Sequence, residues 1–130
     1  MAYEFSNYSV KVTLVAGADL SAKQYNFVKL NSSGQAIAVA AITDVPVGVL
    51  QNAPTSGQEA EVLIVGGTKL VASEAITLPA FLSVASTGKA DKIATTDTTQ
   101  YVVGQAITAA GADADVITAV VNCANPTRAN

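Results

Sequence analysis

Apolar and polar residues alternate along much of this chain. Val10, Val12 and Leu14 fall on one side of an extended segment, and Lys11 and Thr13 on the other. That two-residue period is what a half-buried strand imposes. Val62, Ile64 and Val65 form an apolar run with Gly57 before it and Gly66-Gly67 after it, and Val116 to Val121 forms another. Turn chemistry separates such runs: Asn31-Ser32-Ser33-Gly34, Pro54-Thr55-Ser56-Gly57, Gly66-Gly67, Ser86-Thr87-Gly88 and Ala110-Gly111. β-Branched residues are plentiful, while Leu, Glu, Lys and Arg, which build helices, are sparse. The pattern predicts about ten short strands, near residues 9–16, 25–30, 36–41, 46–52, 59–66, 68–72, 80–85, 90–94, 101–107 and 115–123. One helical turn is expected at Asp19 to Lys23, with the Asp19 carboxylate as its cap. Gly66-Gly67-Thr68-Lys69 reads as a hairpin turn, one strand ending at Val65 and the next resuming at Thr68. It does not fit a phosphate loop, because the glycine spacing is wrong and the lysine follows the threonine. The expected fold class is all-β, a compact β-barrel or β-sandwich with little helix.

The pattern also occurs twice. Leu14-Val15-Ala16 followed by Leu20-Ser21 returns as Leu70-Val71-Ala72 followed by Ile76-Thr77, 56 residues later. Phe27-Val28 matches Phe81-Leu82, and Ser32-Ser33-Gly34 matches Ser86-Thr87-Gly88, both at 54. Thr43-Asp44 matches Thr96-Asp97 at 53, Val47-Gly48 matches Val103-Gly104 at 56, and Glu61-Val62 matches Asp115-Val116 at 54. The order is kept and the offset drifts little, as in an internal duplication with small loop insertions. The chain then divides into an N-terminal arm (1–8), one β-domain (9–124) with copies at about 9–66 and 67–124, and a C-terminal tail (125–130). The tail is expected to be mobile, because Pro126 cannot donate to a ladder. The arm holds Tyr3, Phe5 and Tyr8, three of the chain's seven aromatics. They offer contact area at low entropic cost, either to the protein's own core or to the sheet edge of another subunit.

Composition narrows the functions. Half of the chain is hydrophobic, but Ala and Val dominate and Trp is absent. A core of small side chains stabilises modestly, at roughly 25 cal/mol per Å² buried, so association is expected to add stability. The net charge is −3, and Lys11, Lys23, Lys29, Lys69, Lys89, Lys92 and Arg128 are scattered. Nucleic acid and anionic membranes both call for concentrated positive charge, so neither is an expected partner. The longest apolar stretch, Ala36 to Leu50, is too short to span a bilayer and is broken by Asp44 and Pro46. The N-terminus lacks a cationic start with an apolar run, so no secretory signal is expected. The sequons at Asn7 and Asn31 read as coincidences.

Candidate chemistry is thin. The chain has no histidine, which removes Ser-His-Asp and Cys-His catalysis and most zinc sites. The lone Cys123 reads as a small buried hydrophobe. Glu59 with Glu61, and Asp113 with Asp115, place carboxylates two apart at matching points of the copies. Such pairs suit a hard cation or a strand edge kept soluble by charge, and the second is the expectation. No catalytic residue, cofactor or metal site is expected, and the chain does not read as an enzyme.

Several longer segments resemble the small capsid cement, or head decoration, proteins of tailed bacteriophages. They are Val10-Lys11-Val12-Thr13, the stretch from Ala16 to Tyr25, Phe27 to Leu30, Pro46 to Pro54, Gly57 to Ala60, Gly66-Gly67-Thr68, Tyr101 to Ala106 and Val121 to Pro126. Together they cover nearly the whole chain, and none is a catalytic signature. The resemblance implies a β-rich protein on the outer surface of the phage head, made in the bacterial host cytoplasm. It implies a homotrimer, or alternatively a dimer, that bridges neighbouring major capsid protein subunits. Tyr3, Phe5 and Tyr8 would then be candidate capsid or subunit contacts. Two other readings stay open: a tail or fibre component of the virion, and a small carbohydrate-binding β-domain. Ala75 to Phe81 resembles a segment of β-clip domains in sialic-acid and antifreeze-like proteins, and that reading calls for convergent polar groups in a pocket.

Overall fold

A computed structural model describes residues 9–129. Eleven strands follow one another: β1 (Val10–Val15), β2 (Phe27–Leu30), β3 (Ala36–Ala38), β4 (Gly48–Leu50), β5 (Glu59–Val71), β6 (Phe81–Val84), β7 (Ala90–Lys92), β8 (Tyr101–Val102), β9 (Gly104–Ala106), β10 (Val116–Asn122) and β11 (Thr127–Arg128). None of the described residues is helical, and the all-β expectation holds. At Asp19 the chain makes a tight turn instead of a helical one. The carboxylate accepts the Ser21 N–H at 3.0 Å, a bond that holds its pKa below the usual value, and Lys23 N–H reaches the Leu20 carbonyl at 3.0 Å.

Nine strands form one antiparallel sheet in the order β3-β2-β4-β5-β10-β9-β6-β7, with β1 also on β5 and the sheet curled into a half-barrel. Its two halves repeat one pairing scheme. In the first, β2 pairs with β3 and β4, and β4 and β1 pair with the start of β5. In the second, β6 pairs with β7 and β9, while β9 and the end of β5 pair with β10. Even the isolated parallel bridges match, Ala16 to Ala36 and Ala72 to Ala90.

The long β5 belongs to both halves, which corrects the hairpin expected at Gly66-Gly67. Gly66 and Gly67 lie opposite Val121 and Val120 in an unbroken ladder. The glycine at 66 answers a positive φ of 139° and a close approach rather than a reversal: a Cβ there would lie 2.7 Å from Ser9 Oγ. Glycines 48 and 104 serve closeness as well. A Cβ at Gly48 would come 2.5 Å from the Leu63 carbonyl oxygen, and at Gly104 2.7 Å from that of Val120.

The ladders also correct one sequence match. Ala16 N–H bonds the Gln58 carbonyl and Ala72 N–H that of Asp115, both at 2.8 Å. Gln58 therefore corresponds to Asp115, and Glu61 to Thr118, because the loop before β10 is longer. The last long strand stops at Asn122, ahead of Pro126, yet residues 127–129 of the tail expected to be mobile are docked. Thr127 and Arg128 pair with Val102 and Tyr101, the Arg128 guanidinium lies 5.9 Å from the Tyr101 ring centre, and Ala129 is buried.

Small aliphatic residues fill both halves. Leu20, Val28, Leu50 and Val62 centre the first core; Ile76, Leu82, Ala106 and Ala119 are their counterparts in the second. Alternation on β2, β4 and β5 sends Phe27, Val49 and Leu63 to the opposite face, and these three join the second core. The first half therefore uses both faces of its sheet, with each buried Val, Leu or Phe contributing about 1.5–3 kcal/mol.

Candidate interaction surface

The row Phe27, Val49 and Leu63 runs across β2, β4 and β5. Its counterpart across β6, β9 and β10 is Phe81, Gln105 and Val120. The first row is buried. In the second, Phe81 is 58% exposed, Val120 42% exposed, and Gln105 exposed. Beside them opens a groove of about 550 Å³, lined by Val65, Phe81, Val102, Ile107 and Val120 together with Gln105, Asn122 and Asn125. β10 builds this wall by strict alternation: Ile117, Ala119 and Val121 point into the core, so Val120 must point out. A surface of this kind, apolar with a few amides, suits contact with another macromolecule.

The ionisable groups sit elsewhere. Lys29 and Asp44 form an ion pair at 2.9 Å. The Lys29 hydrogen bond and the N–H groups of Ala40 and Ala41 hold the Asp44 carboxyl below the usual range. At the position of Lys29, the second half has Ser83, whose buried hydroxyl donates to the Gln100 side chain. Asp91 is pushed up to about 6, first by burial, then by the hydrogen bond and charge of Glu74 and the charge of Asp97. Burial pushes the Cys123 thiol up to about 12, so the sulfur stays protonated and unreactive.

Of the residues singled out by sequence, Glu59 and Glu61 share the exposed side of β5. Asp113 pairs with Lys89 at 2.9 Å, and Asp115 accepts the N–H groups of Gly111 and Ala112 in a turn. The two acidic pairs are therefore not at matching points, and among the described residues no three acidic, Cys or His side chains converge on a metal position. Tyr3, Phe5 and Tyr8 lie outside the described residues. The open row was missed in the sequence. Its signal was there in the match of Phe27-Val28 to Phe81-Leu82, but exposure depends on what covers a residue, which a repeat does not encode.

No family model and no curated protein matches this sequence. Among solved structures, the chain is similar to the N base of the head fiber gp8.5 of bacteriophage phi29. The TM-score is 0.66 and the identity 18%, over 88% of this chain and 95% of that one. A likeness of that extent at so low an identity shows a common fold.

Proposed function

We propose that this chain is a structural component of a phage virion, a decoration protein on the outer surface of the head that reinforces contacts between major capsid protein subunits. The observation that carries the reading is the likeness in fold to the phi29 head fiber base over almost the whole of both chains. The cement-family resemblance of the sequence points the same way. In this reading the role is non-enzymatic, the protein acts as a homotrimer, and Tyr3, Phe5 and Tyr8 touch the capsid or a neighbouring copy. Modest affinity at each site suffices, because a shell repeats the contact many times and linked sites raise the effective concentration.

The same likeness favours a second reading, in which the chain is the base of a fibre on the head. Both readings are tested by adding the purified protein to DNA-filled heads lacking it and sedimenting them. Saturable co-sedimentation is expected, and removal of residues 1–8 should weaken it while the circular dichroism spectrum is kept. Failure to bind heads, or recovery with tails, overturns both readings. Cryo-electron microscopy of decorated heads separates them: density confined to a low cap on the capsid supports decoration, and a protruding stalk supports the fibre base.

A further inference from the structure

Each half of the molecule carries two surfaces, and the internal junction uses one of each. From the first half it uses the row Phe27, Val49 and Leu63. From the second it uses the β6–β7 turn. The Gly88 carbonyl in that turn accepts the Phe27 N–H at 2.7 Å, and a Cβ on Gly88 would lie 2.9 Å from the Phe27 carbonyl oxygen and 3.8 Å from Val39 Cβ. Val84, which leads into the turn, is buried.

The counterparts of these two surfaces are both open. The row Phe81, Gln105 and Val120 is exposed on the second half. On the first half, Leu30 stands at the position of Val84 and is 46% exposed. Gly34 stands at the position of Gly88, with φ of +77° against +87°, and among the described residues no atom beyond its chain neighbours lies within 4 Å of a Cβ placed on it. Among the described residues, then, one half ends in an empty socket and the other in a free plug. The two match chemically as their buried counterparts do, an aliphatic side chain and a glycine turn against a phenylalanine row. Within the row, Gln105 at the place of Val49 is the one polar change, as suits a row that meets water before assembly, and in the turn Asn31 stands where the second half has Ala85.

We propose that the Phe81 row receives the β2–β3 turn of a second copy of this chain, so that the junction within one molecule is repeated between molecules. Such a contact is head-to-tail. Each copy gives its plug to one neighbour and its socket to the other, and the series closes into a ring when the rotation per step allows. The inference stands on the equivalence of the halves and not on the head-binding reading.

The test uses the full chain with Phe81→Asp, which spoils the socket, and Leu30→Asp, which spoils the plug. Both side chains are exposed in the single molecule, so both variants should keep the parent circular dichroism spectrum. By sedimentation equilibrium the unaltered chain should weigh a multiple of 13.1 kDa, and each variant alone should weigh that mass once. An equimolar mixture should form a pair, because the intact turn of the Phe81→Asp chain fits the intact socket of the Leu30→Asp chain. The inference is overturned if the unaltered chain is a monomer, whether its own first eight residues or nothing at all fills the groove. Variants that keep the parent mass, or a mixture that stays monomeric, overturn it equally. Head binding by the unaltered chain, assayed separately, reports on the proposed head-binding role and not on this contact.

Discussion

Phe27 and Phe81 hold the same place in the two halves, each facing the middle residue of its neighbouring strand, yet one has no exposed surface and the other is 58% exposed. Local geometry cannot account for the difference, because strands, turns and register agree. What differs is the neighbour. The first half has the second to lie against, and the second has nothing described on its far side. In a duplicated fold, then, the repeat sets where a side chain points, and the junction sets what its burial is worth. The strongest test of this contrast is a pair of truncations. Phe27→Ala should cost about 3–5 kcal/mol, the cost of emptying a packed aromatic site. Phe81→Ala should stay within about 0.5 kcal/mol at concentrations where the chain is single. Urea midpoints at unchanged slope measure both, and equal losses would break the contrast.

A second pair asks where the halves should agree. Gly48→Ala and Gly104→Ala each push a methyl group against a backbone carbonyl that cannot swing aside. Both should lose about 1–3 kcal/mol as overpacking does, Gly48→Ala the more, its contact being 0.2 Å closer (2.5 against 2.7 Å). A loss at only one of them, read from thermal unfolding, would mean that the strand spacing is not shared.

Much of this was legible in the chain. Two-residue alternation located β1, the apolar run from Val116 to Val121 located β10, and Asn31-Ser32-Ser33-Gly34 and Ser86-Thr87-Gly88 marked real hairpins, closed by Gly34 N–H to Asn31 and Gly88 N–H to Ala85. Gly66-Gly67 misled because a glycine pair has two physical uses, reversal and close approach, and only the presence of Ser9 and β10 decides between them. Residues 127 and 128 were read as loose because Pro126 ends a ladder, but a new two-residue ladder on β8 begins just after it. The open row escaped for the reason given by Phe27 and Phe81: its residues are ordinary core types, and exposure is a property of the junction.

The halves also part electrostatically. Across the first hairpin Lys29 faces Ile37, and across the second Ser83 faces Asp91. Burial and the Glu74 and Asp97 carboxyls raise Asp91 to about 6. The folded chain therefore binds more protons than the unfolded chain between the ordinary carboxylate value and about pH 6, and stability falls as the pH rises through that window. Asp91→Asn should remove the penalty. After allowance for solvent screening the gain is about 1 kcal/mol at pH 7, and it should vanish below about pH 4, where the carboxyl is protonated in both states. Denaturant titrations at the two pH values read the difference. A gain that persisted in acid would assign the effect to packing and leave the charge contrast without support.

The smallest difference is one of backbone. Gly57 N–H bonds the Ala16 carbonyl and Ala114 N–H that of Ala72, both at 2.8 Å, so the two residues hold one position in the scheme. Both are left-handed, with φ of 84° and 72°, but only the first half has glycine there. Alanine in that region crowds its Cβ against the carbonyl, at about 1–2 kcal/mol, whereas glycine bears no such crowding but loses more freedom on folding. The side chain of Ala114 is exposed, so no packing is lost with the methyl group. Ala114→Gly should therefore gain about 0.5–1 kcal/mol and raise Tm by about 2–5 °C, and Gly57→Ala should lose a similar amount. Opposite signs at matched positions are the signature of a shared backbone carrying unequal residues. A fall in Tm for Ala114→Gly would mean that the loop ahead of β10 does not hold the left-handed turn that the first half holds at Gly57.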